Sequence, residues 1–141
     1  MDEIDLYFNG NKLNEQEQKT VKSIVYRLFE ELSKQYPWAL DRCTFFTDRG
    51  YDILVKITNE YPKVKNPRIE GCDYNPFDQH YWLAFDLVNN SEERTIIVDS
   101  VFGYIGLENM AEEKLSSTHL RYYKEKRHVP RGGVRVKTIG I

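Results

Sequence analysis

Two hydrophobic periods divide the chain. From Asn14 onward, Val21, Ile24, Val25, Leu28, Phe29 and Leu32 recur at spacings of three and four, the stripe of an amphipathic helix. Asn14 with Glu17 three positions later has the form of a capping box at its start. Pro37 sets the end near Gln35 or Tyr36, because the residue before a proline is pushed out of the helical region. Glu15, Lys19, Lys22 and Glu30 fall on the other side as a solvated surface. Between His80 and Phe102 the pattern changes. His80 to Val88 and Arg94 to Phe102 are apolar, aromatic or β-branched, and Asn89 to Glu93 between them is turn material, which predicts a β-hairpin.

The remaining segments are read around these two. Ile4 to Phe8 alternates in part and is followed by Asn9-Gly10, which predicts a short edge strand or arm ending in a turn. Residues 38–61 admit two readings. As a helix, Cys43, Phe46, Gly50, Ile53, Leu54, Ile57 and Tyr61 share one face, with Cys43 in the first turn. As strands, Thr44–Thr47 pairs with Tyr51–Ile57 across Asp48-Arg-Gly50, and the β-branched and aromatic content favours that version. Lys63 to Phe77, broken by Pro62, Pro67, Gly71 and Pro76, predicts an irregular connection with one short strand around Arg68–Glu70. Gly103–Gly106 reads as a turn and Leu107–Leu120 as a short helix that half-buries Met110, Leu115 and Leu120. Gly132–Ile141 alternates and reads as a final strand with one charged face.

The resulting fold class is α+β: one long N-terminal helix packed on a mainly antiparallel sheet of four to six strands. A length of 141 residues with 40% hydrophobic residues supports a single domain, residues 1–141, with a basic C-terminal segment at 121–141. A net charge of -2 selects no class of partner. No apolar run has the length of a membrane span and Met1-Asp-Glu-Ile-Asp5 has no signal-peptide character, so the expected location is the cytoplasm, with no membrane partner. Two cysteines, Cys43 and Cys72, give no disulfide framework.

Asp99 interrupts the apolar run Thr95–Phe102, and a carboxylate in a packed strand needs a partner. His80 is the nearest residue able to supply one. A carboxylate that accepts one imidazole N–H fixes the tautomer and leaves the other nitrogen free to take a proton from a nucleophile. His80-Tyr-Trp82 opening one strand and Ile97-Val-Asp99-Ser closing the next resemble the second half of the papain-like, transglutaminase-like cysteine enzymes, a group that includes arylamine N-acetyltransferases. The resemblance covers about Trp38 to Gly106 and rests on short motifs. It implies a Cys earlier in the chain at the start of a helix, and Cys43 has that position and the family's order Cys, His, Asp. At a helix start the unpaired N–H groups and the helix dipole stabilise a thiolate, the reactive species. Asp41-Arg42 stand where the family has a small residue, and Ser100 follows Asp99 where the family often has Pro.

The resemblance therefore implies a thiol-dependent acyl-transfer enzyme or hydrolase, with Cys43, His80 and Asp99 as the triad and no cofactor. Its substrate would be a peptide amide, an isopeptide or a small acyl donor, with Gln79, Trp82 and Tyr104 as candidate substrate contacts. A different class is also open. Arg121, Lys124, Lys126, Arg127, Arg131, Arg135 and Lys137 stand against one acid, Glu125, with Tyr122 and Tyr123 beside them. That composition suits a non-catalytic protein binding an anionic ligand, a nucleotide or a nucleic acid, since Arg and Lys neutralise phosphates and Tyr stacks on bases. Cys72, Asp73, Asp78 and His80 match no zinc spacing, and no metal is expected. His119 and His128 lie in no motif and read as surface residues, and Cys72 as an inert, partly buried thiol.

Overall fold

The computed structural model of the chain describes residues 13–130, apart from residues 76 and 91 and the side chain of Asp41. The expected strands at Ile4–Phe8 and Gly132–Ile141 lie outside the described residues. Helix α1 runs Glu15–Gln35. Its capping box is formed: Asn14 accepts from the Glu17 N–H, and the Glu17 carboxylate accepts from the Asn14 N–H. The predicted stripe, Val21 to Leu32, is its buried face.

A 3-10 turn at Pro37–Asp41 leads into α2, Cys43–Thr58, so the helical reading of that segment is the one observed. Tertiary packing outweighs its β-type composition here. Phe46, Gly50, Leu54 and Ile57 form the buried face of α2, and Thr47 and Thr58 donate their hydroxyls to the carbonyls of Cys43 and Leu54 at 2.8 and 2.9 Å. Gly50 marks the closest approach to the sheet, since a Cβ there would meet Leu83 Cδ1 at 2.9 Å.

Among the described residues, five antiparallel strands follow in the order β4-β3-β2-β1-β5: β1 Val64–Asn75, β2 Asp78–Asn89, β3 Glu92–Asp99, β4 Tyr104–Leu107 and β5 Arg127–Val129. The hairpin read from the sequence is β2–β3. The connection expected at 63–77 is instead a full strand. Asn66 at φ 54° beside Pro67 sits in a register shift between Lys65 and Arg68, so the pairing with β2 resumes beyond it. Gly71 is required opposite Tyr81, whose ring would stand 2.3 Å from an added Cβ. The segment Gly103–Leu120 also differs from expectation. Gly103, at φ 70°, closes a turn into β4, a 3-10 turn occupies Glu108–Glu113, and α3 runs Ser117–Lys124 from a Ser116 cap.

Central strand β2 is buried from His80 to Leu87 because both faces of the sheet are covered. Tyr81, Leu83, Phe85 and Leu87 face α1 and α2 in the main core, with Ile96, Val98, Ile105 and Leu107 from the neighbouring strands. Trp82 joins Ile97, Tyr104, Ala111 and Tyr123 in a smaller cluster beneath α3. No helix among the described residues is long and apolar enough to cross a membrane.

Candidate functional site

The α3 face of the sheet carries the polar residues. Along β2 the alternation that sends Tyr81 and Leu83 to the main core sends His80, Trp82 and Asp86 the other way. Asp99, two positions beyond Ile97 on β3, shares that face. His80 Nε2 donates to Asp99 Oδ2 at 2.6 Å, and both side chains are almost fully buried. The pairing expected from the sequence is therefore present.

The thiol comes from the opposite layer. Cys43 opens α2 at the end of the sheet where β2 begins and β3 ends, and the Ser100 hydroxyl holds the preceding turn there by donating to the Leu40 carbonyl at 2.8 Å. Cys43 is half-buried and lies close enough to the His80 ring to perturb it electrostatically. Nε2 is held by Asp99. Burial works against a charge on His80, but the interactions with Asp99 and Cys43 outweigh it and lift the imidazole from 6.5 to about 9. The ring is thus a cation near neutral pH, a proton donor aimed between a carboxylate and a sulfur.

The first turn of α2 has a further property. Arg42 at the N-cap makes no side-chain capping bond, whereas α1 and α3 are capped by Asn14 and Ser116. The Cys43, Thr44 and Phe45 N–H groups precede the first intrahelical bond, which Phe46 makes to Arg42. Unpaired N–H groups at a helix start are donors of the kind that stabilise an oxyanion.

Asp99 is held from three sides. Oδ2 accepts from His80 and also from the Tyr123 hydroxyl at 2.7 Å, and Oδ1 accepts from the Phe102 N–H at 2.9 Å. Phe102 stacks on the imidazole with a centroid distance of 3.7 Å and an interplanar angle of 16°. His119 stacks on the far side of Phe102 at 3.9 Å, so it is a packed, half-buried ring and not the surface residue expected. Neither Tyr123 nor Phe102 was legible as a site residue. The available signal was Ser116 as a cap with Leu120 and Tyr123 at helical spacing, which places Tyr123 on the inner face of α3.

Two expected substrate contacts are corrected. Trp82 and Tyr104 are fully buried. Trp82 donates its indole N–H to Glu70 at 3.1 Å, and Tyr104 donates its hydroxyl to the Leu107 carbonyl, so both are structural. Gln79, half-buried, stays at the sheet end beside His80. The anion-binding expectation is also changed by the pairing of its cations. Arg121 donates to both carboxylate oxygens of Asp78, at 2.9 and 3.0 Å, and lies over the rings of Tyr74 and Tyr122. Lys126 bridges Glu70 and Glu108, and Arg127 lies 3.8 Å from Asp73. These three charges are committed to carboxylates of the same chain. Lys124 is exposed, and Arg131 and Arg135 lie outside the described residues. Cys72 is buried opposite His80 in the β1–β2 register.

Large apolar side chains exposed among the described residues are Trp38, Tyr74, Phe77 and Val101. Each belongs to the sheet end that carries the thiol: the turn before α2, the end of β1, the β1–β2 turn and the β3–β4 turn. Concavities of about 320 Å³ between α1 and α2 and about 380 Å³ beside α3 lie elsewhere and contain none of Cys43, His80 or Asp99. No protein-family model matches this chain, and no curated protein or solved structure matches it either.

Proposed function

We propose that the protein is a thiol-dependent acyl-transfer enzyme or hydrolase. The observation that carries this reading is the meeting of three side chains from separate elements: Cys43 from the start of α2, His80 from the start of β2 and Asp99 from the end of β3. A buried His–Asp pair can be purely structural. That alternative accounts for His80 and Asp99 but leaves a thiol near the ring, at an uncapped helix start, without a role.

In the proposed reaction His80 already holds the proton that Cys43 has given up, and the sulfur of that ion pair attacks the carbonyl carbon of an amide or ester. The first-turn N–H groups of α2 donate to the oxygen as it gains charge. Collapse breaks the bond to the leaving group, which receives the proton from His80 and leaves a thioester on Cys43. Water or an amine then attacks the thioester and gives its proton to His80, and the acyl group departs on it as the sulfur is released beside the protonated ring, which restores the starting pair. Asp99 keeps the imidazole in the required orientation throughout. The order of the three residues is that of the papain-like, transglutaminase-like enzymes, which supports the same reading. Trp38, Phe77 and Val101, exposed at the same end of the sheet as Cys43, favour an acyl group flanked by apolar substituents.

The test is alkylation by iodoacetamide between pH 5 and 8, with peptide mapping to separate Cys43 from Cys72. Cys43 is expected to react at pH 6 at least about tenfold faster than an ordinary thiol of pKa about 8.5, and to lose that advantage in His80→Ala. Ordinary reactivity that His80→Ala leaves unchanged would remove the triad.

A further inference from the structure

We propose that Tyr123 is a positioning residue of this site, its hydroxyl sharing Asp99 Oδ2 with His80 so that the carboxylate orients the imidazole without gripping its proton too tightly. The inference rests on the triad reading for its functional meaning, but its physical content is a statement about one shared oxygen atom.

The geometry is specific. Two donors converge on Oδ2, His80 Nε2 at 2.6 Å and the Tyr123 hydroxyl at 2.7 Å. A carboxylate oxygen has two lone pairs, so both bonds can form, and each draws charge that the other would otherwise receive. Tyr123 is 7% exposed. Burial and the charge of Asp99 push its phenol above the ordinary range, so it is a hydrogen-bond donor at neutral pH. Its ring packs on Trp82 at 4.6 Å. The helix that carries it is capped by Ser116 and clamped to the start of β2 by Arg121 on Asp78.

Asp99 does not depend on Tyr123 for its orientation, because the Phe102 N–H holds Oδ1 and His80 holds Oδ2. Removing the hydroxyl therefore leaves the carboxylate in place and turns its undivided charge on the imidazole. The other groups facing His80 stay as they are: Cys43 from α2, Cys72 opposite in β1 and Tyr122 edge-on from α3, with His119 beyond Phe102. A general acid must release its proton to the leaving group, and a ring held more tightly by Asp99 does so less well.

The experiment is an NMR titration of the His80 ring in the full chain, comparing wild type, Tyr123→Phe, Asp99→Asn and the double variant. The midpoint, expected near 9 in the wild type, should rise by about half a unit to one unit in Tyr123→Phe, on the scale of one hydrogen bond to a charged group. In the Asp99→Asn background the same substitution is expected to have no effect, because the shared charge is gone. A midpoint that stays within about 0.2 unit or falls in Tyr123→Phe overturns the proposal, as does an equal shift in the Asp99→Asn background. Should Tyr123→Phe not fold, 3-fluorotyrosine inserted at position 123 keeps the shape and donates more strongly. It is expected to lower the midpoint, and an unmoved midpoint overturns the proposal. Cys43 alkylation in the same samples reports on the triad separately: an unreactive thiol with a shifted midpoint sinks the catalytic reading and leaves the shared oxygen, whereas a reactive thiol with an unmoved midpoint does the reverse.

Discussion

The two faces of the sheet are built from the same strands and solve different problems. On the face beneath α1 and α2 the contacts are almost entirely apolar, from Val21 and Leu28 on α1 through Leu54 on α2 to Leu83 and Phe85 on β2. The face beneath α3 buries charge. Arg68 reaches both Glu70 and Asp86 at 2.9 Å, Asn66 and Thr95 complete the shell of Asp86, and His80 and Asp99 lie at the end of the row. Burying ions is unfavourable unless each is paired and hydrogen-bonded. This face therefore makes its pairs in sequence along β1 and β2, while the apolar face supplies the stability that tolerates them. The thiol sits where the two meet: its helix belongs to the first face and its partner to the second.

That division can be broken from either side. The largest expected loss of stability comes from Leu83→Ala, which opens a cavity in the apolar core next to Gly50, at about 2–5 kcal/mol. Chemical denaturation would measure it, and because Leu83 points away from His80, the alkylation rate of Cys43 in the folded protein is expected to stay unchanged.

The charged face should instead reveal itself through pH. His80 has a folded pKa of about 9 against 6.5, so its contribution is fully present below pH 6.5 and is lost as pH rises through 9. Its size is on the order of 3 kcal/mol. Asp86 works in the opposite direction. Burial opposes its charge, but Arg68, Asn66 and Thr95 hold its carboxyl below the ordinary value, so its contribution is present above that value and lost as acid is added. Stability against pH should accordingly fall on both sides. His80→Gln is expected to flatten the limb between pH 6.5 and 9 while leaving the acid limb intact, and a slope in that window indifferent to His80→Gln would contradict the pairing described.

How much of this was legible in the sequence varied with how local its cause was. Helix α1 was readable because its cap and stripe lie within the segment, and the β2–β3 hairpin because its two apolar runs flank a turn. The choice at residues 43–58 depended on packing: Gly50 looks like a helix breaker until Leu83 occupies the space its missing Cβ leaves. Strand β1 was hidden by Asn66, Pro67 and Gly71, residues that mark turns in isolation but here serve a register shift and a close cross-strand ring. In the site, Asp99 in an apolar run announced its need for a partner, and His80 was the partner found. Helical spacing from the Ser116 cap places Tyr123 on the inner face of α3, but nothing local identifies the carboxylate 24 positions earlier that its hydroxyl meets.

The central claim is that sulfur, imidazole and carboxylate act as one unit, and acyl-enzyme trapping tests it most directly. The full chain is mixed with p-nitrophenyl acetate at pH 7, quenched in acid within one turnover and mapped by mass spectrometry. The account expects an acetyl group on Cys43 and none on Cys72, with the rate of acetylation falling at least about a hundredfold in His80→Ala. Acetylation that is equal on the two cysteines, or as fast without His80 as with it, would contradict the account.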